Sequence, residues 1–444
     1  MIYLIAVYIV ILVALTYEQS VGEAYSPRFR GLFAFAIMLL LAVMAGTRGH
    51  FGGYDIENYL AYFRDASKID LSLADLFSLE ARGSKTAFEP IWTLYNRFIG
   101  LFTSDGNAFL FVTSMIGWLL IYRHLRRYAP FFFFALMILF CRQYFQSFVY
   151  LRQALACAVV WFGVDFAYKR KLIPFLLTVF VATNLHISGL IFIIVYPLAR
   201  WRMPFLVLFG GFFVALALGV TPGFRMILNF VGMSVGNDKA LGYAEGVGLF
   251  GVHIYYLLEA LFIGFALLLT RRAIYARNGS NTFPPPPILP PPPGVPANVA
   301  VPAPAPVPAP APVPAVSEGN VSGVPARTRS RVAQISEEGP DFLQRLSLKI
   351  KTDDRTVCLF NITFLYVCAS MTTLQSPGCM RLIWVFWIGP ACTFPLLLER
   401  LVYGTGGKLL KVVAVLYFTV ACLMYVVRFN GGQMLDFQPF FLGE

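Results

Sequence analysis

Long runs of apolar residues constrain the fold of this chain more than any other feature. Examples are Gly31–Ala45, Phe131–Phe140, Leu172–Ala182 and Val412–Val427, which are apolar on every side when drawn as helices. An apolar stripe on one face indicates a helix on a soluble core, whereas a helix that is apolar all round is buried, most often in a bilayer. Only 13% of the residues are charged, about half the usual share of a soluble domain. The sequence therefore predicts an all-α polytopic membrane protein and excludes a soluble fold.

The apolar runs predict 11 to 13 membrane-spanning helices. The uncertain segment is 88–102, which is apolar but short and carries polar residues, and we expect it to be half-inserted or interfacial. The candidate spans are about 1–16, 31–47, 107–122, 131–148, 153–168, 172–185, 187–199, 204–221, 253–270, 355–374, 381–398 and 408–427.

A proline-rich segment divides the chain into two membrane blocks. It contains FPPPPILPPPP and then VPAPAPVPAPAPVPA, sequences that favour polyproline II and cannot build a core. The predicted organisation is a main membrane block over 1–277 with an outer loop at 48–106, a disordered Pro/Ala-rich linker over 278–350 on the cytoplasmic side, and a second membrane block over 351–444.

The net charge of +12 reflects membrane topology. Lysine and arginine fall in short clusters between apolar runs and form no basic stripe, so nucleic acid is not an expected partner. One topology places every cluster on the cytoplasmic side, provided that 88–102 does not cross and that 172–200 is broken near Asn184–His186. The clusters are Arg28/Arg30, Arg123/Arg126/Arg127, Lys169/Arg170/Lys171, Arg200/Arg202, Arg271/Arg272/Arg277, the linker and Arg400/Lys408/Lys411.

Several arginines fall at helix ends on the opposite, outer side in this topology: Arg48, Arg142, Arg152, Arg225 and Arg381. A single arginine at a helix end commonly extends to lipid headgroups. Several together on the side where arginine is normally rare need another reason, and an anionic ligand such as a phosphate is the simplest one. We therefore predict an anion site at the outer face.

Two further outer residues are candidates for proton transfer. His186, in TNLHISG, lies at the predicted helix break, and an imidazole is suited to act as a general base near neutral pH, although it could instead be a buried residue that caps a helix. Asp55, in GGYDIENY, could accept a proton or cap a helix starting near Ile56. Tyrosines in this outer segment could stack on sugars, although interfacial aromatic belts are commoner.

In three motifs the chain resembles the EpsG-family exopolysaccharide polymerases, a branch of the Wzy-like oligosaccharide repeat-unit polymerases. The first motif runs from Arg48 through the glycine-rich turn to Asp55 and Tyr59, ahead of Phe88-Glu-Pro. The second is Arg152-Gln153 before an apolar helix, and the third is His186-Ile-Ser188-Gly between two short apolar helices. Arg381, which opens a span, is a weaker match. The sequence departs from the family in having GGYD, where a tighter Gly-Thr-Asp is usual, and in its proline-rich insertion.

The resemblance implies a bundle like those of the Wzy and GT-C glycosyltransferases, with an outer-face cavity, in the bacterial inner membrane. It implies transfer of a glycan from undecaprenyl diphosphate to a sugar hydroxyl of an incoming lipid-linked repeat unit, with no metal or other cofactor. Expected partners are the lipid-linked oligosaccharide, the lipid bilayer, and a flippase and a chain-length regulator of the same pathway. The implied catalytic residues are His186, Asp55 and Arg152, and the implied substrate-binding residues are Arg48, Arg142, Gln153, Tyr59, Ser188 and Arg381.

Other functions remain open at this point. An O-antigen-type ligase uses the same donors but passes the glycan to a different acceptor. A non-catalytic transporter or flippase of the lipid-linked sugar would use the arginines to line a path, although no inverted repeat is visible. A membrane acyltransferase with a buried histidine is a weaker alternative.

Overall fold

The computed structural model describes residues 2–21, 27–48, 54–68, 88–235, 253–275, 353–401 and 405–429. These residues form helices and their connections, and no strand occurs among them. The α-helices are α1 (Ile2–Val21), α2 (Pro27–Gly46), α3 (Tyr54–Asp65), α4 (Pro90–Gly100), α5 (Gly106–Tyr128), α6 (Phe132–Leu139), α7 (Phe145–Val149), α8 (Leu151–Val160), α9 (Gly163–Tyr168), α10 (Leu172–Leu185), α11 (Val195–Leu198), α12 (Phe205–Val220), α13 (Gly223–Val235), α14 (His253–Tyr275), α15 (Asp354–Thr372), α16 (Ile388–Leu401) and α17 (Thr405–Phe429). Short 3-10 helices cover Ala66–Lys68, Ile187–Ile194 and Pro377–Phe386, and a π-helical turn at Phe140–Tyr144 joins α6 to α7.

Several helices are long and apolar enough to cross a membrane. In the described part of the chain these are Tyr3–Ser20, Gly106–Tyr128, Phe132–Val149, Ile254–Arg272 and Asp354–Thr372. A sixth span results if α12 and α13, which are bent by 79° at their junction, cross as one broken helix. Shorter apolar helices occupy Gly31–Gly46, Leu172–Leu185, Ile187–Leu198, Ile388–Glu399 and Leu409–Met424. The prediction of an all-α polytopic membrane protein is confirmed.

Each predicted span coincides with helical structure, but span 153–168 is divided in two. Helix α8 ends at Val160, and α9 begins at Gly163 after a turn. The Trp161 indole in this turn donates a hydrogen bond to the Val385 carbonyl at 2.8 Å, which ties the turn to the second membrane block. The predicted linker, 278–350, lies outside the described residues.

The span Phe132–Val149 forms the centre of the bundle. Within the structure 94% of it is buried, compared with 28% of Tyr3–Ser20. Both segments are apolar all round, so composition alone does not separate a helix covered by protein from one that faces lipid. The first membrane block and the second pack together as one compact unit, which explains how the central span is covered on all sides.

The segment Leu172–Leu198 folds back on itself, as the sequence predicts. Helix α10 ends at Leu185, His186 is extended with φ −160° and ψ 131°, and the chain returns as a 3-10 helix. The two arms touch at Gly189, where an added Cβ would lie only 2.7 Å from the Ala182 carbonyl carbon. A larger residue than glycine would force the arms apart.

This hairpin brings two basic clusters to the same end of the bundle. The Arg170 guanidinium donates to the Tyr196 carbonyl at 2.8 Å, and that of Arg200 donates to the Tyr168 carbonyl at 2.5 Å. Arg200 also pairs with Asp354 at 3.0 Å, at the start of α15.

The ends of α2 and α5 belong to the same basic end. The Tyr122 hydroxyl of α5 donates to the Gly31 carbonyl of α2 at 3.3 Å. Arg127, at the end of α5, pairs with Asp165 of α9 at 2.5 Å. Basic segments far apart in sequence therefore meet at one end, as the predicted topology requires.

Helix α4 is too short to cross a bilayer. Its 11 residues span about 16 Å, roughly half of the hydrocarbon thickness. It packs on α3 and α5 through Trp92, which lies edge-on to the Tyr59 ring of α3 and to the Phe109 ring of α5, with ring centroids 5.9 Å apart in both pairs. These contacts hold α3 and α4 as a small cap on the bundle.

Candidate active site

A cavity of about 130 Å³ opens at the end of the bundle opposite the basic segments. Helix α5 ends at the basic end, and a Cβ added at its first residue, Gly106, would lie 2.8 Å from the Leu60 side chain, so α3 lies at the far end. Separate stretches of the chain, including one from the second membrane block, contribute to the cavity wall. The lining residues are Asp55, Asn58, Tyr59, Phe88, Tyr150, Arg152, Gln153, His186 and Arg381.

One face of helix α3 forms part of the wall. Asp55, Asn58 and Tyr59 are spaced by three and four residues, which places them on the same side of a helix. The helix begins at Tyr54, so Asp55 lies inside the first turn. Its carboxylate makes no hydrogen bond to the described residues and is available to a ligand.

The start of α8 presents Arg152 to the cavity. Its guanidinium lies over the Phe88 ring, 4.2 Å from the centroid, and forms an ion pair with Glu89. Glu89 is only 4% exposed, so this pair is shielded from water. The aromatic ring and the carboxylate hold the guanidinium in one orientation.

His186 occupies the break of the Leu172–Leu198 hairpin and is held by Ser188. The Ser188 amide donates to Nδ1 of the imidazole at 3.2 Å, and the Ser188 hydroxyl oxygen lies 2.8 Å from the same atom. An amide nitrogen can only donate, so Nδ1 is the acceptor and the neutral ring carries its hydrogen on Nε2. Nε2 has no hydrogen-bond partner in the described part of the chain, so His186 offers the cavity an N–H donor.

Arg381 enters the cavity from the 3-10 helix of the second membrane block. Its guanidinium lies over the Tyr150 ring at 4.2 Å and donates to the Tyr150 hydroxyl at 3.1 Å. The Arg381 carbonyl accepts a hydrogen bond from the Gln153 amide at 2.5 Å. Within the described residues Arg381 has no carboxylate partner, so it is the less neutralised of the two cavity arginines.

The cavity brings together six of the nine predicted site residues. The predicted residue Ser188 stands beside it, because its contacts are to the inner nitrogen of His186. No group of three His, Cys, Asp or Glu side chains in the described part of the chain is arranged to hold a metal ion.

Arg48 lies away from the cavity and ties helices together. It is 1% exposed and donates to the Ala45 carbonyl, to the Ser114 hydroxyl at 2.9 Å and to the Phe148 carbonyl at 3.3 Å. These bonds link α2, α5 and α7.

Arg142 also lies elsewhere, within the central span. It pairs with Glu259 of α14, and both side chains are almost fully buried. Glu259 accepts a second hydrogen bond, from the Tyr366 hydroxyl.

Asn58, Phe88, Tyr150 and Glu89 were not among the predicted site residues. Phe88 and Glu89 stand in the Phe88-Glu-Pro segment that leads into α4, which accompanied the first motif of the family resemblance but was given no role in the site. Tyr150 precedes Arg152 in the polar outer turn. Their roles depend on contacts with residues distant in sequence, which spacing does not reveal.

Comparison with known protein families gives a match over the first part of the chain. The sequence model of the EpsG family matches residues 31–283, which is more than half of the chain. The chain belongs to the EpsG family. Membership supports an exopolysaccharide polymerase-type role in general terms. No curated protein and no solved structure matches the chain.

The part of the chain matched by the EpsG family contains most of the cavity wall. Asp55, Arg152 and His186 lie inside it, whereas Arg381 lies beyond it. The second membrane block of this EpsG-family protein therefore adds a guanidinium group to a cavity that the family region builds.

Proposed function

We propose that the chain polymerises lipid-linked oligosaccharide repeat units during exopolysaccharide, O-antigen or capsule synthesis. The donor is a glycan carried on undecaprenyl diphosphate, and the acceptor is a sugar hydroxyl of the incoming unit. The observation that carries this proposal is one cavity, in an EpsG-family chain, that contains two guanidinium groups, an imidazole N–H and a carboxylate without a described partner.

The cations suit the departure of a diphosphate. When the bond between the anomeric carbon and the phosphate oxygen breaks, its electron pair stays on that oxygen. Arg152 and Arg381 would bind the diphosphate oxygens, and Nε2–H of His186 would donate to the charge that develops. Fixed donors in a site shielded from water stabilise such charge more than water does.

Asp55 is the proposed proton acceptor. The acceptor hydroxyl forms the new bond to the anomeric carbon and transfers its proton to the Asp55 carboxylate. The sequence alone favoured His186 for this task. We prefer Asp55 because Nδ1 of His186 is taken by Ser188, which leaves Nε2 protonated and suited to donate.

The proposed location is the bacterial inner membrane, with the cavity at its outer face. The meeting of basic segments at the opposite end supports this orientation through the positive-inside rule. A flippase that delivers the repeat units and a regulator of chain length are the expected pathway partners.

The size distribution of lipid-linked glycan in cells tests the proposal. In a deletion strain, the wild-type gene is expected to restore a ladder of long chains, whereas Arg152→Lys and His186→Ala leave single repeat units. Arg64→Lys is the matched control, because Arg64 is exposed on α3, and it is expected to restore the ladder.

Two results would contradict polymerisation. Normal chain length in both site variants would remove the cavity from the reaction. A wild-type ladder that persists in the deletion strain, with loss only of transfer to a final acceptor, would assign the chain to ligation. Membrane levels of each variant are measured in parallel, so that loss of protein is separated from loss of activity.

A further inference from the structure

Glu89 is a buried carboxylate beside the cavity that the mechanism above leaves without a task. It is 4% exposed and lies next to Phe88 in the sequence, at the start of α4. A buried carboxylate is costly unless it is paired, so its contacts need an explanation.

Both oxygens of Glu89 are used, and each reaches a different part of the site. Oε2 accepts a hydrogen bond from Arg152 at the start of α8. Oε1 accepts from the backbone N–H of Ile187 at 2.9 Å, directly after His186. One carboxylate therefore joins the cation that faces the cavity to the hairpin break that carries the imidazole.

Glu89 directly precedes α4, where an acidic side chain usually caps the helix that follows it. Glu89 is the N-cap residue of α4, where a side chain normally accepts from an N–H of its own helix, but it makes no such bond. The Ile187 N–H, at the start of the 3-10 helix, lacks a partner within that helix and would otherwise be orphaned. Glu89 thus caps a helix that is distant in sequence.

We infer that Glu89 is a positioning residue that sets the geometry of Arg152 and His186 together. This inference rests on the proposed function. One terminal nitrogen of the Arg152 guanidinium is held by Glu89, and the guanidinium lies over the Phe88 ring, which leaves the other terminal nitrogen for a ligand. The bond to Ile187 keeps the hairpin break, and with it Nε2 of His186, at a fixed distance from that guanidinium.

The inference predicts that a substitution of Glu89 lowers turnover without lowering the affinity for an anion. In Glu89→Gln the amide group presents a donor to either Arg152 or Ile187, so one contact is lost and the geometry loosens. A displacement of about 1 Å is expected to lower turnover about 100-fold. Removal of a negative charge beside Arg152 strengthens attraction for anions, so affinity for a diphosphate is expected to stay the same or increase.

The experiment uses the full-length protein in liposomes. Turnover is measured as elongation of the lipid-linked oligosaccharide extracted from the deletion strain, per amount of folded protein. Affinity is measured separately with undecaprenyl diphosphate as the probe. Glu57→Gln is the matched control, since Glu57 is an exposed glutamate on α3, and both quantities are expected to remain at the wild-type level.

The outcomes separate positioning from folding and from the proposed function. Glu89→Gln with wild-type turnover, or with affinity and turnover reduced to the same extent, would overturn the inference. If Glu89→Gln does not accumulate, Glu89→Asp is tested in its place. Reduced turnover of Glu89→Asp with full affinity for the probe supports the positioning role, and wild-type turnover contradicts it. If neither variant accumulates, Glu89 serves folding alone and the inference is overturned. If the wild-type protein neither binds the probe nor elongates the extract, the proposed function fails instead.

Discussion

The buried pair of Arg142 and Glu259 offers a test of whether a charge in the central span serves stability or substrate. Arg142 was a predicted substrate-binding residue, yet its guanidinium faces Glu259 and the Tyr256 ring at 5.0 Å. The perturbations are Glu259→Leu alone and Glu259→Leu combined with Arg142→Met.

The expected energies differ between the two variants. Glu259→Leu leaves the buried Arg142 guanidinium with one hydrogen-bond partner among the described residues, the Tyr417 hydroxyl at 3.4 Å. Leaving one partner of a buried ion pair without the other costs about 3–5 kcal/mol. The Tyr366 hydroxyl also loses its hydrogen-bond acceptor, which costs about 1–2 kcal/mol of stability. The double variant removes the orphaned charge and retains only the smaller loss. It is therefore expected to be about 3–5 kcal/mol more stable than the single variant.

Stability is measured by unfolding the purified protein in mixed micelles with increasing denaturing detergent, with tryptophan fluorescence as the signal. Polymer length is measured in cells in parallel, and the double variant is expected to make long chains. Equal stability of the single and double variants would refute the energetic reasoning. A stable double variant that makes no polymer would show that Arg142 serves the substrate, as predicted from the sequence.

Two further predictions address the hairpin and the proton acceptor. Gly189→Ala is expected to lower the free energy of unfolding in detergent by about 1–3 kcal/mol, because its Cβ would lie 2.7 and 2.8 Å from backbone atoms. Gly210→Ala is the control and is expected to be neutral, because nothing lies within 4 Å of its Cβ. Equal effects of the two variants would contradict the close packing of the hairpin. Asp55→Asn is expected to lower turnover at least about 100-fold while binding of undecaprenyl diphosphate persists. Asp65→Asn, on the exposed face of the same helix, is its control, and an active Asp55→Asn protein would return the role of base to His186.

Much of the fold was predictable from local sequence. Apolar runs marked the helices, and the requirement that basic clusters share one side predicted the break at His186, which the structure confirms. The same reasoning did not find the division between α8 and α9. In that turn Trp161 donates to the Val385 carbonyl, more than 200 residues away, and the local apolar pattern does not indicate this contact.

The candidate site was predictable in type more than in detail. The surplus of outer arginines indicated an anion site, and Arg152 and Arg381 do share a cavity. Arg48 and Arg142 show the same sequence signal but lie in helix contacts, because each has partners supplied by distant segments. A charge in an apolar run indicates that a partner exists, and only the fold tells whether the partner is protein or ligand.

The position of Arg381 depends on packing between the two membrane blocks. Helix α15, the first described helix after the predicted linker, packs closely on α12: an added Cβ on Gly211 would lie 2.6 Å from the Phe364 ring, and Phe364 also contacts Phe212 at 5.2 Å. Contacts this close leave little freedom for one block to shift against the other. The 3-10 helix that carries Arg381 comes next after α15 in the chain. The contacts between α12 and α15 therefore help to fix Arg381 at the cavity. Within the region that the EpsG family matches, Arg152 supplies the cavity with a guanidinium group, and Arg381 adds a second one from outside that region.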